Sequence, residues 1–235
     1  MSTHLNRSWS VLCWNVRGLN AARKWDSVRN KVTDANCEIA CFQETKKVSF
    51  QPAFIRKILP VSFDNFLFVP SKGASRGLLV AWKSALFGGI LKFSNRFALM
   101  IQFTSKHNGY SWNLTNIYGP CTRDGKREFT DWLKSVDFNQ EEDWILLGDF
   151  NMYRHLENRN RPGADHADMF LFNSTISHLG LIEIPLQGKK YTWTNMQSPP
   201  SLRKFTRYSQ MLLGLWPSQT LLAKLLLGKL LTTTP

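Results

Sequence analysis

Acidic residues are scarce in this sequence, and it contains no uninterrupted apolar run of about 20 residues, the length needed to span a bilayer. Aspartate and glutamate number 17 against 30 lysines and arginines, so the formal net charge is +13 and the isoelectric point is near 9.8. A chain this basic favours a polyanionic partner. By charge alone, that partner could be nucleic acid or an anionic membrane surface.

Cysteine is also sparse, and the N-terminus has no apolar segment of the kind found in signal peptides. The four cysteines, Cys13, Cys37, Cys41 and Cys121, are too few to form the disulfide framework of a small secreted domain. We interpret them as reduced core cysteines. The close pair at 37 and 41 has no matching Cys or His pair, which argues against structural zinc. We therefore expect a nuclear or cytoplasmic protein that is not secreted.

The remaining pattern predicts one α/β domain in which many short strands alternate with few helices. Apolar, strand-like runs cover Trp9–Val16, Glu38–Gln43, Leu78–Trp82, Phe97–Phe103, Trp112–Tyr118, Trp144–Leu147 and Tyr191–Asn195. Helical spacing is found in Ala21–Ala35, Lys126–Val136 and Asp168–Leu179. No internal repeat is visible. Strands in this proportion favour a layered α/β sandwich.

Polar residues follow three of these apolar runs directly: Asn15, Glu44, and Asp149 together with Asn151. A sheet could bring all of them to one edge, where carboxylate and amide oxygens would suit Mg²⁺ and a phosphate substrate. For any one of these residues taken alone, capping a turn is the commoner role. Their joint placement is what indicates a site.

Four motifs contain these residues: Trp14-Asn15-Val16-Arg17-Gly18, Phe42-Gln43-Glu44-Thr45, Asn116-Ile117-Tyr118-Gly119-Pro120 and Leu147-Gly148-Asp149-Phe150-Asn151. In order and spacing they resemble the motifs of the endonuclease/exonuclease/phosphatase family. Two further segments, Ser75–Trp82 and Gly188–Asn195, resemble the endonuclease domain of plant LINE-type (non-LTR) retrotransposons. The resemblance covers Trp9 to Leu202.

This resemblance implies a DNase I-like, four-layered α/β sandwich that nicks double-stranded DNA with Mg²⁺, or with Mn²⁺. Asn15 and Glu44 would hold the metal, and Tyr118 would contact the scissile phosphate. Asp149 would orient the attacking water, and the Asn151 amide would face the developing charge. The nick would prime a reverse transcriptase that is absent from this chain. We expect the domain itself to be a monomer.

Seven basic residues lie in or near the loops that should border the same edge: Arg17, Arg23, Lys24, Lys46, Lys47, Lys72 and Arg76. Together they would hold DNA phosphates without reading base sequence, although each one alone is more often a solvated surface charge. A later loop, with Lys189, Lys190, Thr192 and Asn195, is expected to face the duplex.

The family pattern breaks near Arg207. Thr206 stands where the family has the aspartate of a Leu-Asp-Arg segment, and no Ser-Asp-His motif follows. Codons for Leu230 to Pro235 can be chosen so that another reading frame spells Ser-Asp-His-Asn-Pro. We hypothesise a frameshift near Arg207, which sequencing of the encoding DNA would test. Residues 1–207 would then be the domain without its last strands, and 208–235 an aberrant tail.

Three functions remain open at this stage. The first is a DNA endonuclease whose activity is reduced or lost because the terminal motif is missing. The second is a non-catalytic nucleic-acid-binding remnant, and the third is a phosphatase acting on a small phosphate ester. A membrane role for the Leu-rich stretch Met211 to Leu231 fits poorly, because Pro217, Lys224 and Lys229 interrupt it. We therefore expect no membrane partner.

Overall fold

The computed structural model describes residues 9–72, 76–138, 141–158 and 165–183, and the backbone of four short strands at 193–194, 202–203, 208–210 and 224–227. The first half of the chain builds one sheet from β1 (Ser10–Asn15), β2 (Ile39–Gln43), β3 (Asn65–Val69) and β4 (Leu78–Trp82). Its helices are α1 (Trp25–Ala35), which follows a 3₁₀ turn at Ala22–Lys24, and α2 (Pro52–Ile58). The parallel pair β1 and β2 lies at its centre, with β4 antiparallel to β2 and β3 at one edge.

The second half builds a second sheet. Its long strands are β5 (Phe87–Ser94), β6 (Ala98–Ser105), β7 (Ser111–Tyr118) and β8 (Trp144–Asp149), and its helices are α3 (Arg123–Ser135) and α4 (His166–His178). A short strand, β9 (Ile182–Glu183), follows α4. Strands β5, β6 and β7 form an antiparallel meander, after which α3 returns the chain so that β8 runs parallel to β7.

The apolar side chains form three separate core layers, and this explains why the strands read as continuous apolar runs. Along β1, Val11 and Cys13 pack between the two sheets, whereas Leu12 and Trp14 pack against α1 and α2. A third cluster fills the space between the second sheet and helices α3 and α4. Because both faces of each sheet are covered, the strands need no polar face. The four-layered α/β sandwich implied by the sequence is confirmed.

Most predicted elements are present, with shifted ends. Helix α3 begins three residues earlier than predicted, at Arg123, and the predicted helix from Ala21 divides into a 3₁₀ turn and α1. Among the elements from β1 to β8, three were not predicted. Helix α2 has only seven residues, too few to show helical periodicity, and β5 contains Gly88 and Gly89, which read as strand breakers. The third, β3, carries only half-buried and exposed side chains.

The segment after Arg207 contributes two short strands. Strand β12 (Tyr208–Gln210) pairs with β8 and β9, and β13 (Lys224–Leu227) pairs in parallel with β1. A separate ribbon joins β10 (Trp193–Thr194) to β11 (Leu202–Arg203). The backbone of the tail therefore lies beside β8 at β12 and beside β1 at β13. The predicted domain boundary at Arg207 and the frameshift that would explain it remain hypotheses.

None of the four cysteines forms a disulfide bond, and only three of them lie in the core, because Cys121 is exposed. Burial raises the pKa of Cys37 to about 11, so this thiol stays protonated. Among the residues that the structure describes, no helix has the length and apolarity needed to cross a membrane.

Candidate functional site

The polar residues that follow the apolar strands meet at one open end of the sandwich. Asn15 and Tyr118 are the last residues of β1 and β7, Asp149 is the last of β8, and Glu44 follows β2. Because β1 runs parallel to β2 and β7 runs parallel to β8, both pairs present their carboxyl ends together. The two sheets face each other across the inner core, so residues from both reach the same place.

Three hydrogen bonds join the four side chains. The Asn15 Nδ2 atom donates to Glu44 Oε1 at 2.8 Å and to Asp149 Oδ2 at 2.9 Å. The Tyr118 hydroxyl donates to the same Glu44 oxygen at 2.9 Å. Two of these bonds, Asn15 to Asp149 and Tyr118 to Glu44, cross from one sheet to the other. The structure therefore assembles Asn15, Glu44, Tyr118 and Asp149 as one cluster.

Asp149 has unusual electrostatics. It is only 5% exposed, and burial raises its pKa to about 6, although its hydrogen bonds from Asn15 and Asn151 oppose the shift. Burial, and after it the negative charge of Glu44, raises the pKa of Tyr118 far above its usual range. The carboxyl can therefore gain or lose a proton near neutral pH, whereas the phenol remains a neutral hydrogen-bond donor.

Two glycines allow the loops after β7 and β8 to lie against each other. A Cβ on Gly119 would overlap the carbonyl of Phe150, and one on Gly148, whose φ is +140°, would overlap the carbonyl of Ile117. The close approach lets Asn151 donate from Nδ2 to the Gly119 carbonyl at 2.7 Å and from its backbone amide to Asp149 Oδ1 at 3.1 Å. Within the described residues, the second Nδ2 hydrogen of Asn151 has no acceptor and is available for another one.

Left-handed backbone conformations concentrate around this cluster. Non-glycine residues with positive φ include Arg17 (51°), Glu44 (52°), Lys46 (55°), Arg76 (77°) and Asn151 (53°). Such conformations cost about 1–3 kcal/mol each and persist where surrounding contacts over-determine them. Here the loops hydrogen-bond to one another, as in Gly18 N to Glu44 O at 2.6 Å and Lys46 N to Arg76 O at 3.1 Å.

Eight of the predicted DNA-contacting residues divide into two groups. Arg17, Lys46, Lys47 and Arg76 lie in the loops that surround the cluster, and all four are half-buried. They belong to three adjacent chain segments joined by backbone hydrogen bonds, and we call these four residues the basic rim. The Lys47 ammonium lies over the Phe54 ring, 4.5 Å from its centroid. The other four, Lys189, Lys190, Thr192 and Asn195, carry side chains outside the described residues.

The sequence motifs contained a further pair whose role was not predicted. Gln43 and Asn116 are 1% and 0% exposed, and Gln43 Nε2 donates to Asn116 Oδ1 at 2.6 Å, joining the two sheets directly beneath the site. The Asn116 Nδ2 atom in turn donates to the carbonyls of Phe42 and Leu79. In the sequence, the signal for this pair was a polar residue within each of two apolar, strand-like runs. This pair sets the sheet separation on which the cross-sheet bonds above it depend.

We expect Asn116→Leu to lower the free energy of unfolding by about 1–3 kcal/mol, because it removes the closest acceptor of the buried Gln43 amide and leaves only the longer contacts to Cys13 Sγ and Cys41 O. Urea denaturation would measure the change. The control is the double variant Gln43→Leu with Asn116→Leu, which removes both polar partners and should recover part of the loss. A single variant as stable as the parent chain would show that the amide pair does not support the fold.

The donor atoms at this end of the sandwich fit a hard cation that keeps most of its water. Glu44 Oε1 already accepts two hydrogen bonds, whereas no hydrogen bond is recorded for Oε2 within the described part of the chain. The described residues contain no group of three or more His, Cys, Asp or Glu side chains arranged to hold a metal. Mg²⁺ commonly binds through one or two carboxylates and several waters, so this donor set suits it.

Comparison with known proteins places these features in a family. The sequence profile described as the Endonuclease/Exonuclease/phosphatase family matches residues 12–207, which is most of the chain. No curated protein matches the chain. The profile spans all four motifs that contain the assembled site residues.

Several solved structures share the fold. The endonuclease domain of TRAS1, a telomere-specific non-LTR retrotransposon, is 12% identical, with a TM-score of 0.62 over 86% of this chain and 84% of that one. The AP endonuclease LMAP from Leishmania major is 14% identical, with the same score over 86% and 78%. TDP2 of D. rerio, complexed with a single-strand DNA product, is 18% identical, with a score of 0.57 over 89% and 86%. At these identities the likeness establishes the fold alone.

Proposed function

Because this chain belongs to the Endonuclease/Exonuclease/phosphatase family, we propose that it is a Mg²⁺-dependent DNA endonuclease domain of retrotransposon origin. The observation that supports this most strongly is the hydrogen-bonded cluster of Asn15, Glu44, Tyr118 and Asp149 at the open end of the sandwich. Its members come from both sheets and, in this proposal, would supply metal-binding, phosphate-contacting and proton-accepting groups within one small space. Metal-assisted phosphodiester hydrolysis can use these three kinds of group together.

DNA is the substrate class that the charge distribution favours. The net charge is +13, and the rim of Arg17, Lys46, Lys47 and Arg76 surrounds the cluster. Cations spread over several loops suit a polymer with regularly spaced phosphates. The solved relatives named above include a retrotransposon endonuclease and a DNA-product complex, which supports the same choice. A reverse transcriptase would extend the nicked strand.

Glu44 and Asn15 are the residues that would hold Mg²⁺, or Mn²⁺, in this proposal. When bound, the ion would neutralise charge on the scissile phosphate. The Tyr118 hydroxyl would donate to a phosphate oxygen once Glu44 engages the cation. Asp149, with its pKa near 6, would accept a proton from an attacking water, and the remaining Asn151 N–H would face the developing charge.

We further propose that turnover is reduced, because the chain has no Ser-Asp-His motif after Thr206. The same feature favours a second candidate, a non-catalytic nucleic-acid-binding remnant. In both candidates the basic rim binds DNA. They differ in whether the assembled cluster cleaves it.

Nicking of supercoiled plasmid in Mg²⁺ tests the proposal. We expect slow nicking by this chain, abolished by EDTA, and nicking about 10²- to 10⁴-fold faster per soluble molecule in a version whose frame is shifted at Arg207 to end in Ser-Asp-His. Plasmid binding without nicking by either version would support the binding remnant. Equal rates for both versions would show that the terminal motif does not limit turnover.

A further inference from the structure

The loop after β1 comprises residues 16–19. Its backbone carbonyls accept hydrogen bonds from two side chains where α1 begins, those of Lys24 and Trp25. The Lys24 ammonium lies 3.0 Å from the Arg17 carbonyl oxygen, 3.4 Å from that of Gly18 and 3.5 Å from that of Val16. The next carbonyl, that of Leu19, accepts from the Trp25 indole at 2.8 Å. Four consecutive carbonyls are therefore held by two neighbouring side chains.

The backbone amides of the same loop donate hydrogen bonds on its other side, to Asn15 and to the loop that follows β2. Arg17 N donates to Asn15 Oδ1 at 3.1 Å, and so sets the orientation of the Asn15 amide. Gly18 N donates to the Glu44 carbonyl at 2.6 Å, and Leu19 N to the Thr45 carbonyl at 2.9 Å. The loop thus connects Lys24 on its carbonyl side to both residues assigned to the metal on its amide side.

The loop conformation needs such support. Arg17 and Gly18 are consecutive residues with positive φ, 51° and 98°. The left-handed conformation is costly for Arg17, because this residue carries a Cβ. Two consecutive residues in this conformation also turn the neighbouring backbone carbonyls towards one place. An ammonium group, with three N–H donors, can satisfy several carbonyl oxygens at once.

Lys24 also has surroundings that disfavour its charge. Burial lowers the pKa of Lys24, and the positive charges of Lys46, Arg17 and Arg23 lower it further, while Glu44 opposes them. An ammonium directed at three carbonyls has no N–H directed at a DNA phosphate. The donors of the Lys24 ammonium are therefore directed into the chain.

We propose that Lys24 is a positioning residue, whose ammonium holds the loop at 16–19 in the left-handed conformation that orients Asn15 and Glu44. The consequences for Mg²⁺ binding and for catalysis rest on the proposed function, whereas the support of the loop does not. The sequence predicts that Lys24 contacts DNA phosphates, whereas its contacts with the loop carbonyls indicate a positioning role.

The experiment compares Lys24→Met, which keeps the chain length of the side chain but removes its donors, with Lys24→Arg, which retains donors. The control is Lys83→Met, because the Lys83 ammonium lies over the Phe63 ring, 5.5 Å from its centroid, and contacts neither Trp25 nor the loop carbonyls among the described residues. Lys46→Met serves as the comparison for a lost DNA contact. Each variant is measured by hydrogen exchange, urea denaturation, calorimetric titration with Mg²⁺ alone, and DNA binding over a salt series.

For Lys24→Met, we expect amide exchange at Gly18 and Leu19 to rise about tenfold or more, with exchange in the central strands unchanged. Mg²⁺ affinity should fall about tenfold, and the salt slope of DNA binding should stay as in the parent chain. Lys24→Arg should recover most of the loop protection and Mg²⁺ affinity. Lys46→Met should instead reduce the salt slope by about one, with normal loop exchange.

Two outcomes would overturn the inference. Unchanged loop exchange with a reduced salt slope would make Lys24 a phosphate contact. A uniform rise in exchange, matched by loss of unfolding free energy, would make its role general to the fold. A parent chain that neither binds Mg²⁺ nor nicks DNA would refute the proposed function, but the exchange measurements would still decide whether Lys24 holds the loop.

Discussion

Asp149→Asn is expected to reduce Mg²⁺-dependent plasmid nicking about 10²- to 10⁴-fold, the range that general acid–base assistance contributes. Asparagine can keep an acceptor for the Asn15 amide but cannot take a proton from water. The carboxyl is well placed for that task because burial raises its pKa to about 6. Rates would be compared at equal concentrations of folded protein, in the present chain and in the frame-shifted version.

The matched control for this variant is Asp143→Asn. Asp143 immediately precedes β8, whereas Asp149 ends it, and burial raises the pKa of both carboxyls. The control should nick as fast as its parent. The unfolding free energy of Asp149→Asn should fall by no more than about 1–3 kcal/mol, because either Asn15 Nδ2 or Asn151 N loses its acceptor while a neutral amide removes the cost of burying a charge. An Asp149→Asn variant with full nicking activity would exclude Asp149 from the chemistry.

Glu44→Gln is expected to weaken Mg²⁺ binding at least tenfold. Even residues that only support metal ligands commonly contribute about 10- to 100-fold in affinity, and here the change removes the carboxylate charge itself. Glutamine can still accept hydrogen bonds from Asn15 and Tyr118, so the loop should keep its conformation. Calorimetric titration of the DNA-free chain with MgCl₂ would measure the dissociation constant.

Glu38→Gln provides the control, because Glu38 directly precedes β2 and Glu44 directly follows it. The Glu38 carboxylate accepts from the Ser10 backbone amide at 2.7 Å, far along the strand from the site residues. Its replacement should leave Mg²⁺ affinity unchanged. Equal dissociation constants for Glu44→Gln and the parent chain would remove Glu44 from the metal site and place the cation elsewhere.

Much of this site could be predicted from the sequence because its residues occupy strand ends. An apolar run followed by Asn15, Glu44 or Asp149 is a local pattern, and parallel neighbours bring such ends to one edge. The layered fold follows from the same runs, which are buried on both faces. The basic loops are also local features, so Arg17, Lys46, Lys47 and Arg76 could be named in advance. It remains a prediction that DNA is contacted by the later loop, with Lys189, Lys190, Thr192 and Asn195.

Only the tertiary structure decided how these residues interact, because the interactions join segments far apart in the chain. Asn15 and Asp149 are separated by 134 positions yet share a hydrogen bond, and Gln43 meets Asn116 across the sheets. The raised pKa of Asp149 is a consequence of burial between layers. The role of Lys24 depends on backbone carbonyls, whose directions no side-chain pattern encodes. The sequence by itself determined which groups reach the open end of the sandwich, and packing of the two sheets determined their distances, their protonation and the loop that holds them.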